Sequence, residues 1–462
     1  MSSSLSTTPG AGSVATSSTD LKIEPSEPLF KFEVSTRASF EKSEGQDIEG
    51  EDMGLEPVDG GKSAWLFMVG AVIIDAIIWG FPLNFGVFQD YYTTHPPFEG
   101  NLLISMVGTF ATGIAYLGGP LMAPLTIRYH AYRRHMVIFG ASLCVLGNIG
   151  ASFGTQLWII VVCQGVIYGV GFLIISYATF SMLNEWFIKK RGLAYGILLS
   201  AAGTGGLGLP FLLQVLLEKY GYAMTLRIYA VATVIIVGPA ILLIRSRTRH
   251  LPKPPKAEKI DYSVLKKPIF ASLSICNFLQ GLVFYLPSIF LPSFAADLAF
   301  SPTDRSILLV LIHLTEVIGL LSIGHVSDFV DVHLLLLGSS FGSAIVVYVL
   351  WGLGKTMLHL CILALLFGFT AGSFEALFPR FATALTDNPS AELTFFGFFE
   401  FQRGLGMVLA GPISSALIGR VVIEEGYGIE RYKGIILFVG SVLVVCSFSG
   451  VGWLLRGKTW YR

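Results

Sequence analysis

The chain has 462 residues, of which 53% are hydrophobic and only 13% charged, with a mean hydropathy of +0.68. A water-soluble chain needs about a quarter of its positions charged, so a soluble globular protein is excluded and lipid is the expected solvent. The formal net charge of zero is a sum of opposites, acidic before residue 62 and basic after it, and carries no signal for nucleic acid.

Residues 1–61 are rich in Ser, Thr, Glu and Gly and hold 12 acidic against 4 basic residues. They bury too little apolar surface to offset chain entropy and are expected to form a disordered cytoplasmic tail. The segment lacks the basic and apolar regions of a signal peptide. Its Ser and Thr residues permit phosphorylation, though a solvated tail is the simpler reading.

Apolar runs of about 20 residues, the length that crosses a bilayer, follow near 64–88, 102–126, 136–154, 157–183, 192–217 and 223–244. Residues 245–268 are polar, Pro-rich and basic, and read as a cytoplasmic linker. Six further runs lie near 270–296, 305–326, 333–353, 357–379, 394–419 and 432–455. The predicted class is an all-α membrane protein: 12 transmembrane helices in two pseudo-symmetric six-helix bundles, over 62–244 and 269–456, with a cytoplasmic tail at 457–462.

Lys and Arg near spans are retained on the cytoplasmic side. One set of loops holds Arg128, Arg133, Arg134, Lys189, Lys190, Arg191, eight linker bases, Arg380 and the C-terminal Arg456, Lys458 and Arg462. The opposite loops are poorer in bases, so both termini are predicted to be cytoplasmic. Five cysteines, Cys144, Cys163, Cys276, Cys361 and Cys446, fall inside apolar spans without disulfide or zinc spacing and read as packing residues.

Helices in lipid pack closely where small residues let backbones approach. The fifth span carries Ser200, Ala201, Ala202, Gly203, Gly205, Gly206, Gly208 and Pro210, and the eleventh answers with Gly404, Gly406, Ala410, Gly411 and Pro412. Gly165, Gly169 and Gly171 of the fourth span are likewise matched by Gly368 and Gly372 of the tenth. Twelve spans with this internal symmetry and a central basic loop fit a carrier whose two bundles rock about a midplane site.

An ionisable group within a bilayer costs about 2.5–3.5 kcal/mol at mid-helix and marks a functional position by default. Asp75 in the first span and His313 with Glu316 in the eighth are the proton-coupling candidates. Glu375 in the tenth span and Glu400 with Arg403 in the eleventh form a candidate gate in the cytoplasmic third; Arg403 is also a candidate anion anchor. A static pair joining two helices is the competing reading. Arg380, beyond Pro379, reads as a loop-end charge. Gln164 and Tyr168 share one face of the fourth span, and Asn277, Gln280 and Phe284 one face of the seventh; these are the substrate-binding candidates. No nucleotide loop, metal-ligand cluster or Ser/His/Asp grouping is present, so neither an enzyme nor a cofactor is expected.

Asp59, Gly60, Gly61 and Trp65, together with Trp186, Phe187, Lys189, Lys190, Arg191, Gly192, Leu193, Ala194, Gly196 and the Ala202–Gly203 step, are two motifs by which the chain resembles the major facilitator superfamily. Within it, the chain resembles the monocarboxylate porter branch, especially its fungal members, over about residues 59–455. The superfamily's loop signature departs from pattern: Pro124 stands where an acid is usual, and Gly324 and Asp328 are kept while Val330 and His333 replace bases. The resemblance therefore does not carry over the latch those loops form in relatives. Animal-type lactate carriers have a Lys soon after a Phe-Pro pair and an Arg in the eighth span. Here Leu83 follows Phe81 and Pro82, and no Arg follows Arg305 in that span, so simple proton–lactate symport is not supported.

The resemblance implies a monomeric secondary transporter in a fungal plasma membrane, whose partners are a small-molecule substrate, a proton gradient and the lipid bilayer. Efflux of an organic acid or secondary metabolite is the first reading. The alternatives are proton-linked uptake of a monocarboxylate or a riboflavin-like vitamin, and a transporter-like nutrient sensor signalling through its tail.

Overall fold

The computed structural model describes residues 56–99, 101, 104–248, 260–386, 388–418, 427 and 429–450, with 205–207, 302, 389 and 430 described by backbone alone. Most of the expected N-terminal tail, linker residues 249–259 and the C-terminal tail lie outside the described residues.

The first span is α1 (Gly61–Leu83) followed by α2 (Phe85–Thr94). It breaks at Asn84, next to Pro82, which has no N–H to give its preceding turn. The Ile78 carbonyl that Pro82 leaves free accepts a bond from the Tyr168 hydroxyl at 2.7 Å, and Asn84 Nδ2 donates to the Gly80 carbonyl at 2.7 Å. In lipid such freed groups need partners from neighbouring helices, and the chain supplies them.

The second span, α3 (Ser105–Leu117) and α4 (Gly119–Arg128), bends by 51° at Gly118. The third is α5 (Arg133–Ala151). The fourth runs from α6 (Leu157–Ile160) through a π-helical stretch, Val161–Ile167, into α7 (Tyr168–Trp186). The fifth and sixth lie in α8 (Arg191–Leu243), divided at Gly221, whose φ of 74° and ψ of 171° fit a residue without a Cβ.

The second set repeats this plan. The seventh span is α9 (Pro268–Val283) and α10 (Leu286–Asp297), broken, like the first, near its middle. The eighth is α11 (Pro302–Val326), opened by a reciprocal Ser301–Asp304 capping box. The ninth is α12 (Val332–Val346) with a π-helical end, Val347–Trp351. The tenth is α13 (Met357–Gly372) with α14 (Phe374–Leu385), the eleventh α15 (Pro389–Leu417) and the twelfth α16 (Ile429–Phe448).

Nine helices among the described residues are long and apolar enough to cross a membrane. Counting the bent second span, both parts of α8 and the more polar α15 brings the spans to twelve. The chain is thus an all-helical, multi-pass membrane protein.

Glycines fix the packing as their spacing predicts. Gly140 and Gly171 bring α5 and α7 so close that a Cβ on either would lie 2.6 Å from the other's carbonyl oxygen. Gly165 and Gly169 seat the fourth span on the second at Val107 and Ala111, and Gly368 and Gly372 seat the tenth on the eighth at Ile312 and Glu316. These are equivalent pairs in the two bundles, so the sequence symmetry of spans four and ten is a symmetry of packing. All five cysteines are free; Cys276 and Cys446 each donate to the other's backbone carbonyl at 3.6 Å.

Candidate functional site

The two bundles meet along two seams, α8 against α11 and α15 against α3 and α4. At the end where the basic loops gather, both seams are sealed by backbone contact. A Cβ on Gly119 would lie 2.6 Å from the Gly397 carbonyl oxygen, and one on Gly324 would lie 2.7 Å from that of Gly192. Polar groups lock the same end. Asp328, just past α11, accepts from the backbone N–H of Gly192 at 2.6 Å and of Leu193 at 3.0 Å. It thereby caps the N-terminus of α8 in the other bundle, where the helix dipole favours an anion.

Arg380 adds a 3.3 Å ion pair to Asp328, and Arg191 pairs with Glu392 of α15 at 2.5 Å. Burial pushes the Asp328 carboxyl above the ordinary aspartate range, while the Arg380 guanidinium and the two N–H groups pull the other way. Two sequence readings are corrected here. The latch is built despite the degraded loop signature, and Gly324 with Asp328 was the signal for it. Arg380 lies inside α14 as a member of that latch.

The two motifs near the chain's start and middle converge on this end as well. Asp59 accepts from the backbone N–H groups of Ile188, Lys189 and Lys190 at 2.8–2.9 Å, and its own N–H donates to the Trp186 carbonyl at 2.8 Å. Trp65 meets Phe187 edge-on at 5.8 Å. One carboxylate thus gathers three donors of the loop that enters α8.

Between the seams lies a cavity of about 410 Å³. It reaches from Tyr177, Phe180, Phe378 and Glu400 to Leu83, Val87, Phe211 and Ser306, which lie toward the end away from the latch. The cavity is therefore closed at the basic end and extends toward the other. The first bundle contributes Trp79, Tyr116, Phe172, Tyr177, Phe180 and Phe211; every ionisable acid or His on the wall, His313, Glu316, Glu375 and Glu400, comes from the second.

These four were all singled out in the sequence, but their grouping differs. Glu375 and Glu400 line the same cavity as His313 and Glu316, with Glu400 toward its closed end, so the two expected groups meet on one wall. His313 Nδ1 lies 3.0 Å from Glu316 Oε2, as their three-residue spacing predicts. Arg403 does not line the cavity. It is 1% exposed, pairs with Glu375, and lies 4.9 Å from the centre of the Phe284 ring and 5.1 Å from that of Phe378.

Asp75 is also absent from the wall; it is buried within α1, the helix that packs along α8, with Oδ2 lacking a hydrogen-bond partner among the described residues. The proposed substrate-binding amides sit behind the wall. Gln164 accepts from the Tyr92 hydroxyl at 3.0 Å, Asn277 donates to the Phe399 carbonyl at 2.5 Å, and Gln280 is buried with neither amide atom hydrogen-bonded. Tyr168 serves the Pro82 break, and Phe284 packs on Arg403. Helical-face spacing found these residues because it marks any buried face, whether that face meets a ligand or another helix. Tyr177 and the other aromatic wall residues had no distinguishing signal among 35 Phe and 17 Tyr.

Residues 60–272 match the sequence model of the Major Facilitator Superfamily. The chain is similar to the MFS transporter asaE of Aspergillus flavus, at 25% identity over 90% of this chain and 92% of that one. It is similar to the agnestins efflux protein AgnL12 of Paecilomyces divaricatus, at 26% over 83% and 87%, and to the aspyridones efflux protein apdF of Emericella nidulans, at 25% over 85% and 80%. Among solved structures, FucP in an outward conformation shares the fold with a TM-score of 0.62 at 12% identity, covering 84% of this chain and 99% of that one. The human organic anion transporter MFSD10 does so with a TM-score of 0.63 at 12% identity, over 84% and 98%.

Proposed function

We propose that the chain is a transporter of the major facilitator superfamily and that it exports a small organic metabolite by alternating access, driven by a proton gradient. The observation that carries this reading is the cavity, closed at one end by groups that cross between two bundles and extending toward the other. The ties at the closed end are hydrogen bonds, an ion pair, backbone contacts and the rings of Tyr177, Phe180 and Tyr195 packed on Phe396, and rocking of one bundle on the other parts them together.

Efflux is supported by the relatives named for exporting agnestins and aspyridones. The gathering of Arg133, Lys189, Arg191 and Arg247 at the closed end supports a cytoplasmic assignment for that end and for the termini. The cavity then faces outward in this conformation. The convergence of Asp59 on Ile188–Lys190 supports placement near the monocarboxylate porter branch, since it joins both motifs of that resemblance. Uptake of a simple monocarboxylate finds no Lys or Arg on the cavity wall among the described residues to hold it. The His313–Glu316 pair is the proposed proton-coupling element; both face the cavity and differ in charge with protonation.

Impermeant thiol labelling in a cysteine-free background tests this. Ser306→Cys should label from outside intact cells, and Lys189→Cys only after permeabilisation. Labelling of both from the same side would sink the proposal. So would an unchanged intracellular metabolite profile on deletion of the protein.

A further inference from the structure

We propose that Glu400 is the counter-ion for a protonated nitrogen on the ligand, so that the exported molecule is an aromatic amine and exchanges with a proton at this one carboxyl. This deepens the efflux reading above and rests on it.

The groups facing Glu400 leave it without a cation of its own. On its own helix, Arg403 lies three residues on and its charge reaches Glu400, as does that of Glu375, but its guanidinium is directed to Glu375 of α14 and enclosed by Phe284 and Phe378. Tyr116 of α3, Tyr177 of α7 and Tyr195 of α8 approach it from the first bundle. On α11, His313 is matched by Glu316. Arg403 answers Glu375 and His313 answers Glu316, so Glu400 is the surplus acid. It is 7% exposed, faces the cavity, and makes no hydrogen bond or ion pair among the described residues. The neighbouring Tyr177 hydroxyl is also buried and without a partner.

An ionised carboxylate in such a place is strongly disfavoured unless paired. Two species satisfy it: a proton, or the cation of a ligand. The rings of Tyr177, Phe180 and Phe378 line the same cavity, and aromatic faces attract a desolvated cation. A carboxylate ligand meets the reverse: a surplus acid and, among the described residues, no Lys or Arg on the wall.

Proton and ammonium cannot occupy Glu400 together. When the cavity faces the cytoplasm, the ligand's ammonium displaces the proton, which leaves on that side. When it faces outward, the ammonium departs and an external proton replaces it. One cation leaves for each proton that enters, and the carboxyl returns to its starting state.

The test uses the full chain in detergent and in proteoliposomes, with 1-(1-naphthyl)ethylamine and 1-naphthylacetic acid as probes of like size and opposite charge. The amine should bind and the acid should not. Affinity for the amine should fall on acidification, approaching about tenfold per pH unit once the carboxyl is protonated. Glu400→Gln should weaken amine binding about tenfold or more and flatten that pH dependence, while Glu400→Asp should restore part of both. Equal or tighter binding of the acid, undiminished amine binding in Glu400→Gln, or binding of neither probe would overturn the proposal. Labelling of Ser306→Cys under opposite pH gradients reports alternation without either probe. If labelling does not respond, the efflux reading itself fails; if it responds while the probes disagree, only the present inference falls.

Discussion

The first six spans line the cavity with Trp79, Tyr116, Phe172, Tyr177, Phe180 and Phe211, whereas the last six bring His313, Glu316, Glu375 and Glu400 to it. The two bundles share a helical plan, the broken first and seventh spans and the glycine seats of the fourth and tenth, but not a chemistry. Backbone symmetry is set by small residues and Pro, which act on packing alone. The wall is free to diverge, because a side chain facing a cavity has no helix to fit. The first bundle then supplies ring surface alone, the second adds charge to its own rings Tyr285 and Phe378, and substitutions of rings and of charges should fail in different ways.

The largest effect is expected where the charged side is buried deepest. Arg403→Ala leaves Glu375 without its cation, and breaking a buried pair costs about 3–5 kcal/mol. Thermal unfolding in detergent should show a marked loss of stability, with transport abolished. Arg380→Ala removes only one of three partners of Asp328 and should cost less in both assays. Equal effects would remove the distinction between the cavity cluster and the latch.

Glu316→Gln comes next. It keeps the shape of the site but removes the acid beside His313, so flux should lose the part of its pH dependence that this pair carries and keep the part set by Glu400, while expression persists. Flux measured across a pH series that keeps its full dependence would end the assignment of this pair to proton coupling.

On the aromatic side, Phe180→Ala should reduce ligand affinity several-fold, in line with about 0.5–1.5 kcal/mol for an aromatic contact, and leave the pH profile unchanged. A shifted pH profile in titration binding would break the division between the bundles. Asp75→Asn should do least to ligand affinity, because Asp75 lies off the wall. A loss comparable to that of Phe180→Ala would return Asp75 to the binding site.

Much of the site was legible because acids and bases are rare within spans. His313, Glu316, Glu375 and Glu400 stood out against a hydrocarbon background, and all four reach the cavity. Amides and tyrosines did not sort in the same way. Gln164, Asn277 and Tyr168 have the helical spacing of a ligand face, yet Tyr168 is spent on the carbonyl freed by Pro82 and Asn277 on the Phe399 carbonyl. A backbone group in lipid needs a partner as much as a ligand does, and spacing along one helix does not say which of the two stands opposite. Arg380 was misread for a related reason: its partner Asp328 lies 52 residues away.

By itself, the sequence determined that this chain lives in a bilayer, how many times it crosses and where its helices pack closest, because those follow from hydropathy, length and the absence of side-chain bulk. Only the tertiary structure decided which end is shut, that Asp328 caps a helix of the other bundle, and that Glu400 is left over once Arg403 is directed to Glu375. Each of these depends on distances between helices far apart in the chain, and a charge is matched or surplus only relative to what packing brings beside it.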